Sequence, residues 1–319
     1  MGRIAGIVML FVVCFSVKAQ QFTQFSQYMI DGFILNPAYA GTTDYIPIRM
    51  SNRNQWLGFE GSPRSYFLSA HTNLDDNNGL GAIIYTESEG PSSHTGLMFS
   101  YAYRFPLNYE YSLSFGLSTN LYANNFNNDL VNIIDPNDPA FAGADETSFS
   151  GDVNFGVYLF SDEFYLSFSV PHLIESPNKL GTEIGNEYKR HYFLSSGYYI
   201  STAYKGHWGV EPSFMLKTTE TSNPQLDINA RVLYQDYLFG GISYRIEDAT
   251  SIMVGIKTKR FLVSYSYDIG LSDISDHHNG THEFVLGFNI DYTNSTRNNR
   301  WWDRHKIKEW DDGKGAFKR

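Results

Sequence analysis

Hydrophobic and polar residues alternate along most of the chain after Asp44. The clearest example is the segment YSLSFGLSTNL from Tyr111 to Leu121, where one set of alternate positions is apolar or aromatic apart from Thr119 and the other holds Ser, Gly and Asn. A spacing of two residues places the two sets on opposite faces of an extended strand. The alternation recurs in segments that begin at Val153, Phe164, Ser251, Arg260 and Phe284. The pattern therefore predicts an all-β fold.

The polar face of these strands indicates where the fold resides. A soluble β-sandwich turns this face to water and usually carries Lys, Glu, Arg and Thr there. Here the face is mostly Ser, Gly and Asn with an occasional Tyr. Small polar side chains suit a crowded barrel lumen, whereas large apolar side chains suit contact with lipid. We therefore expect residues 44–292 to form a transmembrane outer-membrane β-barrel.

Segments of roughly ten residues between turn signals give about 14 antiparallel strands. The predicted strands start near Asp44, Arg64, Gly79, His94, Tyr111, Gly151, Phe164, Arg190, Gly206, Pro224, Tyr237, Thr250, Arg260 and Thr281. The connections between them support this count, because outer-membrane barrels alternate short periplasmic turns with longer outer loops. Every even-numbered connection is tight, and the three longest, 124–150, 171–189 and 271–280, are odd-numbered. An even count leaves both ends of the barrel on the periplasmic side.

Residues 1–19 have the features of a cleaved signal peptide. Arg3 gives a positive start, an apolar run extends from Ile4 to Phe15, and Val17-Lys18-Ala19 forms a small-residue cleavage site. The only cysteine, Cys14, lies inside this segment, which excludes a disulfide framework and a cysteine metal site from the mature chain. No later stretch approaches the ~20 apolar residues of a spanning helix. The net charge of −10 argues against nucleic-acid binding.

Several longer motifs resemble a known family. These are QFSQYM from Gln24, NPAYAG from Asn36, RNQWLGFEGSPRSYFLSAH from Arg53 and THEFVLGFNIDY from Thr281. Together they are similar to the PorP/SprF family of type IX secretion system outer-membrane proteins. The resemblance implies a non-enzymatic barrel tied to the periplasmic ring and lipoprotein parts of a protein-export machine. In gliding bacteria it also implies anchoring of surface adhesins.

Candidate partner-binding residues fall first in the arm that precedes the barrel, residues 20–43, for which a periplasmic and a lumenal position are both open. The motif NPAYAG there reads as a turn, because Pro37 fixes φ and Gly41 can adopt positive φ. An ordinary turn leading into the barrel, a lumenal plug and a partner-docking loop remain alternatives. The candidate residues of this motif are Asn36, Pro37, Tyr39 and Gly41.

A second group of candidates, Arg53, Gln55 and Trp56, lies at the end of the first predicted strand. Arg49, Arg53 and Gln55 share a face with Ser51, so period two points them into the lumen. There we expect the arginines to pair with lumenal acids such as Asp227 and Glu211, or to grip the arm. A structural ion-pair network is the simpler interpretation.

The tail, residues 293–319, breaks the alternation. It is rich in Lys and Arg and holds the candidates Trp301, Trp302, Arg304 and Trp310. A solvated tail against anionic headgroups is one interpretation. The other is a periplasmic partner-binding segment, because clustered Trp and Arg are typical of interface hot spots.

No motif predicts a metal, a cofactor or an enzyme. The acidic loop from Asp129 to Glu146 lacks the spacing of a calcium-binding EF-hand, although weak calcium bridging at the surface stays open. Ser69 and His71 share one strand face with no evident third catalytic partner. The sequence therefore favours a type IX secretion or gliding component that contacts outer-membrane lipid and periplasmic partners. The alternatives are a passive channel for small solutes and, third, a barrel enzyme.

Overall fold

A computed structural model describes residues 23–130, 146–178, 186–201, 208–220, 222–235 and 237–291. Within these ranges, fourteen antiparallel strands form one sheet. They are β1 (Tyr45–Asn54), β2 (Arg64–Asn73), β3 (Asn78–Glu89), β4 (Ser92–Pro106), β5 (Ser112–Phe126), β6 (Glu146–Phe160), β7 (Phe164–Val170), β8 (His191–Tyr198, continued by Ile200–Ser201), β9 (Trp208–Thr219), β10 (Gln225–Tyr234), β11 (Leu238–Arg245), β12 (Ala249–Lys257), β13 (Phe261–Gly270) and β14 (Thr281–Asp291).

The sheet closes into a barrel. Each strand pairs with its neighbours in sequence, and β1 pairs with β14 from Tyr45 opposite Asp291 to Asn54 opposite His282. Closure leaves no strand edge whose backbone groups would be stranded in lipid. The predicted all-β barrel of about fourteen antiparallel strands is confirmed. The predicted strand starts lie within two residues of those observed, except that β6 begins at Glu146, five residues before Gly151.

The alternation along each strand separates lumen from lipid. In β5, Ser114, Ser118 and Asn120 are buried, whereas Phe115 and Leu117 are exposed. The same division holds in β10, where Arg231 is fully buried and the flanking Ala230 and Val232 are exposed. A polar interior with an apolar exterior is the reverse of a soluble protein and is the arrangement of a barrel in a bilayer.

The connections define the two rims. The rim we call periplasmic carries tight turns such as 74–77, 107–111 and 161–163. In the first of these, the Asp75 carboxylate accepts the backbone N–H groups of Asn77 and Asn78, each at 2.7 Å, which lowers the pKa of Asp75. The outer rim carries the longer connections, one with a two-stranded hairpin, Pro177–Asn178 and Asn186–Glu187.

Helical structure in the described residues is limited to four short 3-10 turns, Gly32–Ile34, Pro37–Tyr39, Asn128–Leu130 and Asp273–His277. None of the described helices is long and apolar enough to cross a membrane. The first two turns lie in the segment before β1, which forms the interior of the barrel.

Candidate functional site in the barrel lumen

The arm, described from residue 23 to residue 43, lies inside the lumen. Its side chains Phe25, Tyr28, Met29 and Phe33 are buried. They pack against a lumenal apolar set contributed by the barrel wall, Phe67, Ile83, Met98, Phe193, Met215 and Met253. The sequence left a periplasmic and a lumenal position open, and the structure places the described arm in the lumen. The barrel is therefore filled by its own chain.

Asn36 fixes the NPAYAG motif to the wall. Its backbone is extended, and its side-chain oxygen accepts the N–H of Ala38 at 2.8 Å, which caps the 3-10 turn that Pro37 begins. Its Nδ2 donates to the carbonyl oxygen of Val157 at 3.0 Å and to the hydroxyl of Ser167 at 2.8 Å. One buried amide therefore stabilises the turn and joins it to β6 and β7.

Two glycines on the lumenal face make room for this turn. A Cβ at Gly116 would lie 2.2 Å from the backbone nitrogen of Ala38, and a Cβ at Gly156 would lie 1.9 Å from the side-chain oxygen of Asn36. Neither distance is compatible with a side chain. Glycine allows a second backbone to approach a strand this closely, so β5 and β6 form a seat shaped for the NPAYAG motif.

Substituting Gly156→Val should displace the motif and lower the free energy of unfolding by about 1–3 kcal/mol, the usual cost of overpacking. The matched control is Gly151→Val on the same strand, where the nearest atom is the end of the Leu121 side chain at 3.3 Å. Urea titration of the folded barrel in lipid vesicles measures the difference. Equal stability of the two variants would contradict the close packing of the arm against β6.

Tyr39 and Gly41 complete the lower part of the arm. The Tyr39 ring lies 4.0 Å from the Tyr158 ring, centroid to centroid. Gly41 has a φ of 70°, its N–H donates to His71 Nδ1 at 3.3 Å, and its carbonyl oxygen accepts Arg104 Nη1 at 2.7 Å. The positive φ lets the chain turn from the lumen into β1.

Ser69 and His71, the pair considered for catalysis, both contact the arm. The Ser69 hydroxyl donates to the Asp31 carboxylate at 2.5 Å, and His71 accepts the backbone N–H of Gly41. These contacts differ from a nucleophile activated by a histidine base, in which the serine hydroxyl bonds to the imidazole. Their observed contribution is to hold the arm.

Arg53 lies at the centre of a buried charged cluster. Its guanidinium donates to Asp268 at 2.9 Å and to Glu283 at 3.0 Å. The arm joins this cluster through Ser26, whose N–H donates to Glu283 at 2.9 Å and whose hydroxyl donates to Asp268 at 2.6 Å. We call Arg53, Asp268, Glu283 and Ser26 the Arg53 cluster. The expectation that Arg53 grips the arm agrees with these contacts.

The prediction that Arg53 pairs with Asp227 or Glu211 is wrong. Glu211 pairs with Arg231, and Asp227 pairs with Arg245. In each case the two residues are direct cross-strand neighbours, as are Arg53 and Glu283 across the β1–β14 seam. Period two assigns a residue to the lumen, whereas the register between strands decides which neighbour it meets.

Other residues of the site were missed at the sequence level. They are Ser26, Gln27 and Asp31 in the arm, and Gly116, Gly156, Asp268 and Glu283 in the wall. Glu283 could have been found from the sequence. A closed barrel pairs its first strand with its last, which brings the start of β14, residues 281–284, opposite the end of β1. Ser26 and Gln27 lie in the motif QFSQYM, but nothing in that motif indicates which wall residues they contact.

The remaining candidates lie elsewhere. Arg49 points into the lumen as expected and donates to the carbonyl oxygen of Ile48 at 3.0 Å. Gln55 and Trp56 follow β1 at the outer rim, away from the NPAYAG motif, and the Trp56 ring stacks on His278 at 6.1 Å. Trp301, Trp302, Arg304 and Trp310 lie outside the described residues, as does the predicted signal peptide.

The described residues contain no group of three or more His, Cys, Asp or Glu side chains arranged to hold a metal ion. Four buried lumenal carboxylates, those of Glu211, Asp227, Asp268 and Glu283, instead pair with arginines. The chemistry of the site is therefore that of hydrogen bonds and ion pairs between the arm and the wall.

A closed antiparallel barrel with an apolar exterior, a polar lumen and an internal arm defines an outer-membrane β-barrel whose lumen is filled by its own chain. The chain belongs to the family described as type IX secretion system membrane protein PorP/SprF, whose family model matches residues 17–288. The family membership makes it a membrane component of type IX secretion.

Solved structures with a similar fold are outer-membrane barrels. The CymD monoaromatic hydrocarbon channel has a TM-score of 0.52 and 11% identity, covering 85% of this chain and 94% of that one. The Ralstonia pickettii toluene transporter TbuX has a TM-score of 0.47 and 9% identity, covering 83% and 93%. The Acinetobacter baumannii outer membrane protein Omp33 has a TM-score of 0.44 and 6% identity, covering 79% and 100%. No curated protein matches the sequence significantly.

Proposed function

We propose that this protein is a closed, non-enzymatic anchor of the type IX secretion machinery in the outer membrane. It reaches that membrane through a cleaved signal peptide, residues 1–19. It holds periplasmic ring and lipoprotein components through its C-terminal tail, and in gliding bacteria it retains exported surface adhesins. The observation that carries the proposal is the filled lumen, since a barrel occupied by its own buried arm is suited to scaffolding.

The packing of the arm supports the anchor over a passive channel. A channel needs a continuous polar or apolar path through its lumen. Here apolar arm residues such as Phe33 cover the apolar wall, while Ser26 and Asn36 bond to the polar wall at two separate levels. These buried hydrogen bonds oppose the movement of the arm out of the lumen, because breaking them leaves buried polar groups without partners.

The tail supports a periplasmic partner. β14 ends at Asp291, which pairs with Tyr45 at the rim of tight turns, and this position of the last described residue supports a periplasmic tail. Its sequence contains eight Lys and Arg against four Asp and Glu, although the chain as a whole has a net charge of −10. Trp301, Trp302 and Trp310 with Arg304 provide the residue types that dominate interface hot spots. The tail therefore suits an acidic partner surface with apolar pockets.

Ending the chain before Asn294 tests the anchor. The truncated protein should keep a folded barrel, recognised by its heat-dependent mobility on a gel, and should lose the periplasmic chains that co-purify with the full protein in mild detergent. A variant with Trp301, Trp302 and Trp310 changed to Ala should lose the same chains. Changing Asn298 and Asn299 to Ser, which alters neither the basic nor the Trp residues of the tail, is the matched control and should retain them. Normal co-purification and normal secretion by the truncated protein would falsify the anchor proposal.

A further inference from the structure

The arm has a direction within the barrel, which its contacts reveal in order along the chain. Gln24 accepts Arg245 Nη1 at 2.7 Å, and Arg245 is the last residue of β11 at the outer rim. Further along, Asp31 meets Ser69 near the middle of β2. Gly41 then meets Arg104 near the periplasmic end of β4.

The Arg53 cluster belongs to the upper part of this path. Arg53 lies one residue from the outer end of β1, Asp268 two residues from the outer end of β13, and Glu283 two residues from the outer end of β14. The start of the arm is therefore bound near the outer rim. The arm descends from there through the lumen and joins β1 at the periplasmic rim.

Charge balance explains why the arm stays at the outer end. Two carboxylates, Asp268 and Glu283, share the guanidinium of Arg53, and all three side chains are buried. The arm supplies the missing donors, because the N–H groups of Ser26 and Gln27 reach the two oxygens of Glu283 at 2.9 and 3.2 Å. Backbone N–H groups stabilise a buried carboxylate in the way they do at a helix N-terminus. Withdrawing the arm would leave a buried negative charge short of partners.

We propose that the arm is threaded through the barrel from the outer mouth to the periplasmic rim, and that the Arg53 cluster is a latch that holds its outer end within reach of the cell surface. The described chain then begins at the outer mouth with Thr23 and ends at the periplasmic rim with Asp291.

Cysteine labelling tests the direction. The only native cysteine, Cys14, lies in the predicted signal peptide, so each introduced cysteine gives the sole signal. Intact cells carrying Thr23→Cys are treated with a maleimide too large for outer-membrane porins, and the labelled fraction is compared with that in permeabilised cells. Glu60→Cys in the first outer loop should label equally in both. Tyr109→Cys in a periplasmic turn should label only after permeabilisation.

Thr23→Cys, which is half-buried, should behave like Glu60→Cys. Labelling that follows Tyr109→Cys, or no labelling in either preparation, would overturn the threading. This inference rests on the closed lumen of the proposed function. Cysteine labelling does not depend on the tail. A failure of the threading would change the labelling pattern, whereas a failure of the anchor proposal would change only the co-purification of periplasmic chains.

A second measurement tests the latch. Ile30→Cys replaces a buried arm side chain and should react slowly in purified protein, because reaction requires the arm to leave the lumen. Adding Glu283→Gln removes the charge that binds Ser26 and Gln27, and should raise the labelling rate by about tenfold or more. Glu60→Gln is the matched control, since Glu60 is exposed in the first outer loop, and it should leave the rate unchanged. Equal rates in the two variants would contradict the latch.

Discussion

Deleting residues 23–40 is expected to turn a closed barrel into a conducting one, with at least about a tenfold rise in ion conductance across planar lipid bilayers. The deletion keeps the turn at Gly41 and all of β1. It removes the apolar side chains that pack on Met98, Met215 and Met253, and it frees a lumenal wall lined by charged residues such as Arg53 and Arg231. Water and ions can occupy a polar lumen of this strand number once its filling is gone.

The deletion result discriminates between the anchor and the passive channel. A passive channel should conduct with the arm in place, and the deletion should then change the conductance little. The control is Tyr109→Ala in a periplasmic turn, where the side chain is fully exposed, and this variant should conduct like the parent. Heat-dependent gel mobility must show that each variant is folded before its conductance is compared.

The barrel was predictable because each strand carries its own signal. In a bilayer the outward face of a strand is apolar and its lumenal face mostly polar. The residue types of Phe115 and Ser114 therefore predict which face each occupies, without information from any distant residue. The error at β6 has the same origin. Its first five residues, ETSFS, contain one apolar residue and show no alternation of apolar and polar positions. The outer end of the strand was therefore predicted to be a loop.

The lumenal site was less predictable because it depends on positions distant in sequence. Ser26 meets Asp268 and Glu283 more than two hundred residues away, and only the closed sheet brings them together. The sequence predicted that Asn36 belongs to a turn, but nothing in NPAYAG identifies Gly116 and Gly156 as the residues it packs against. A glycine on a lumenal face looks like any other small residue until a second backbone lies against it.

The largest loss of stability is expected from Arg53→Met. This substitution keeps most of the volume of the side chain but removes the guanidinium that bridges the buried carboxylates of Asp268 and Glu283. Removing one partner of a buried ion pair costs about 3–5 kcal/mol. Urea titration in lipid vesicles, followed by tryptophan fluorescence, should show this decrease in the free energy of unfolding. Arg64→Met, at an exposed position of the same hairpin, should change it by less than about 0.5 kcal/mol.

A rescue experiment separates lost charge balance from lost packing. In Arg53→Met/Glu283→Gln one of the two carboxylates is neutral, so the double variant should recover a large part of the stability that Arg53→Met loses. Glu283→Gln alone should be destabilising, because the parent glutamate bonds to Arg53 and to the N–H groups of Ser26 and Gln27. The two effects would then be strongly non-additive, as expected for groups in one network. Additive losses would mean that Arg53 stabilises the lumen through packing, and the electrostatic account of the cluster would have to be abandoned.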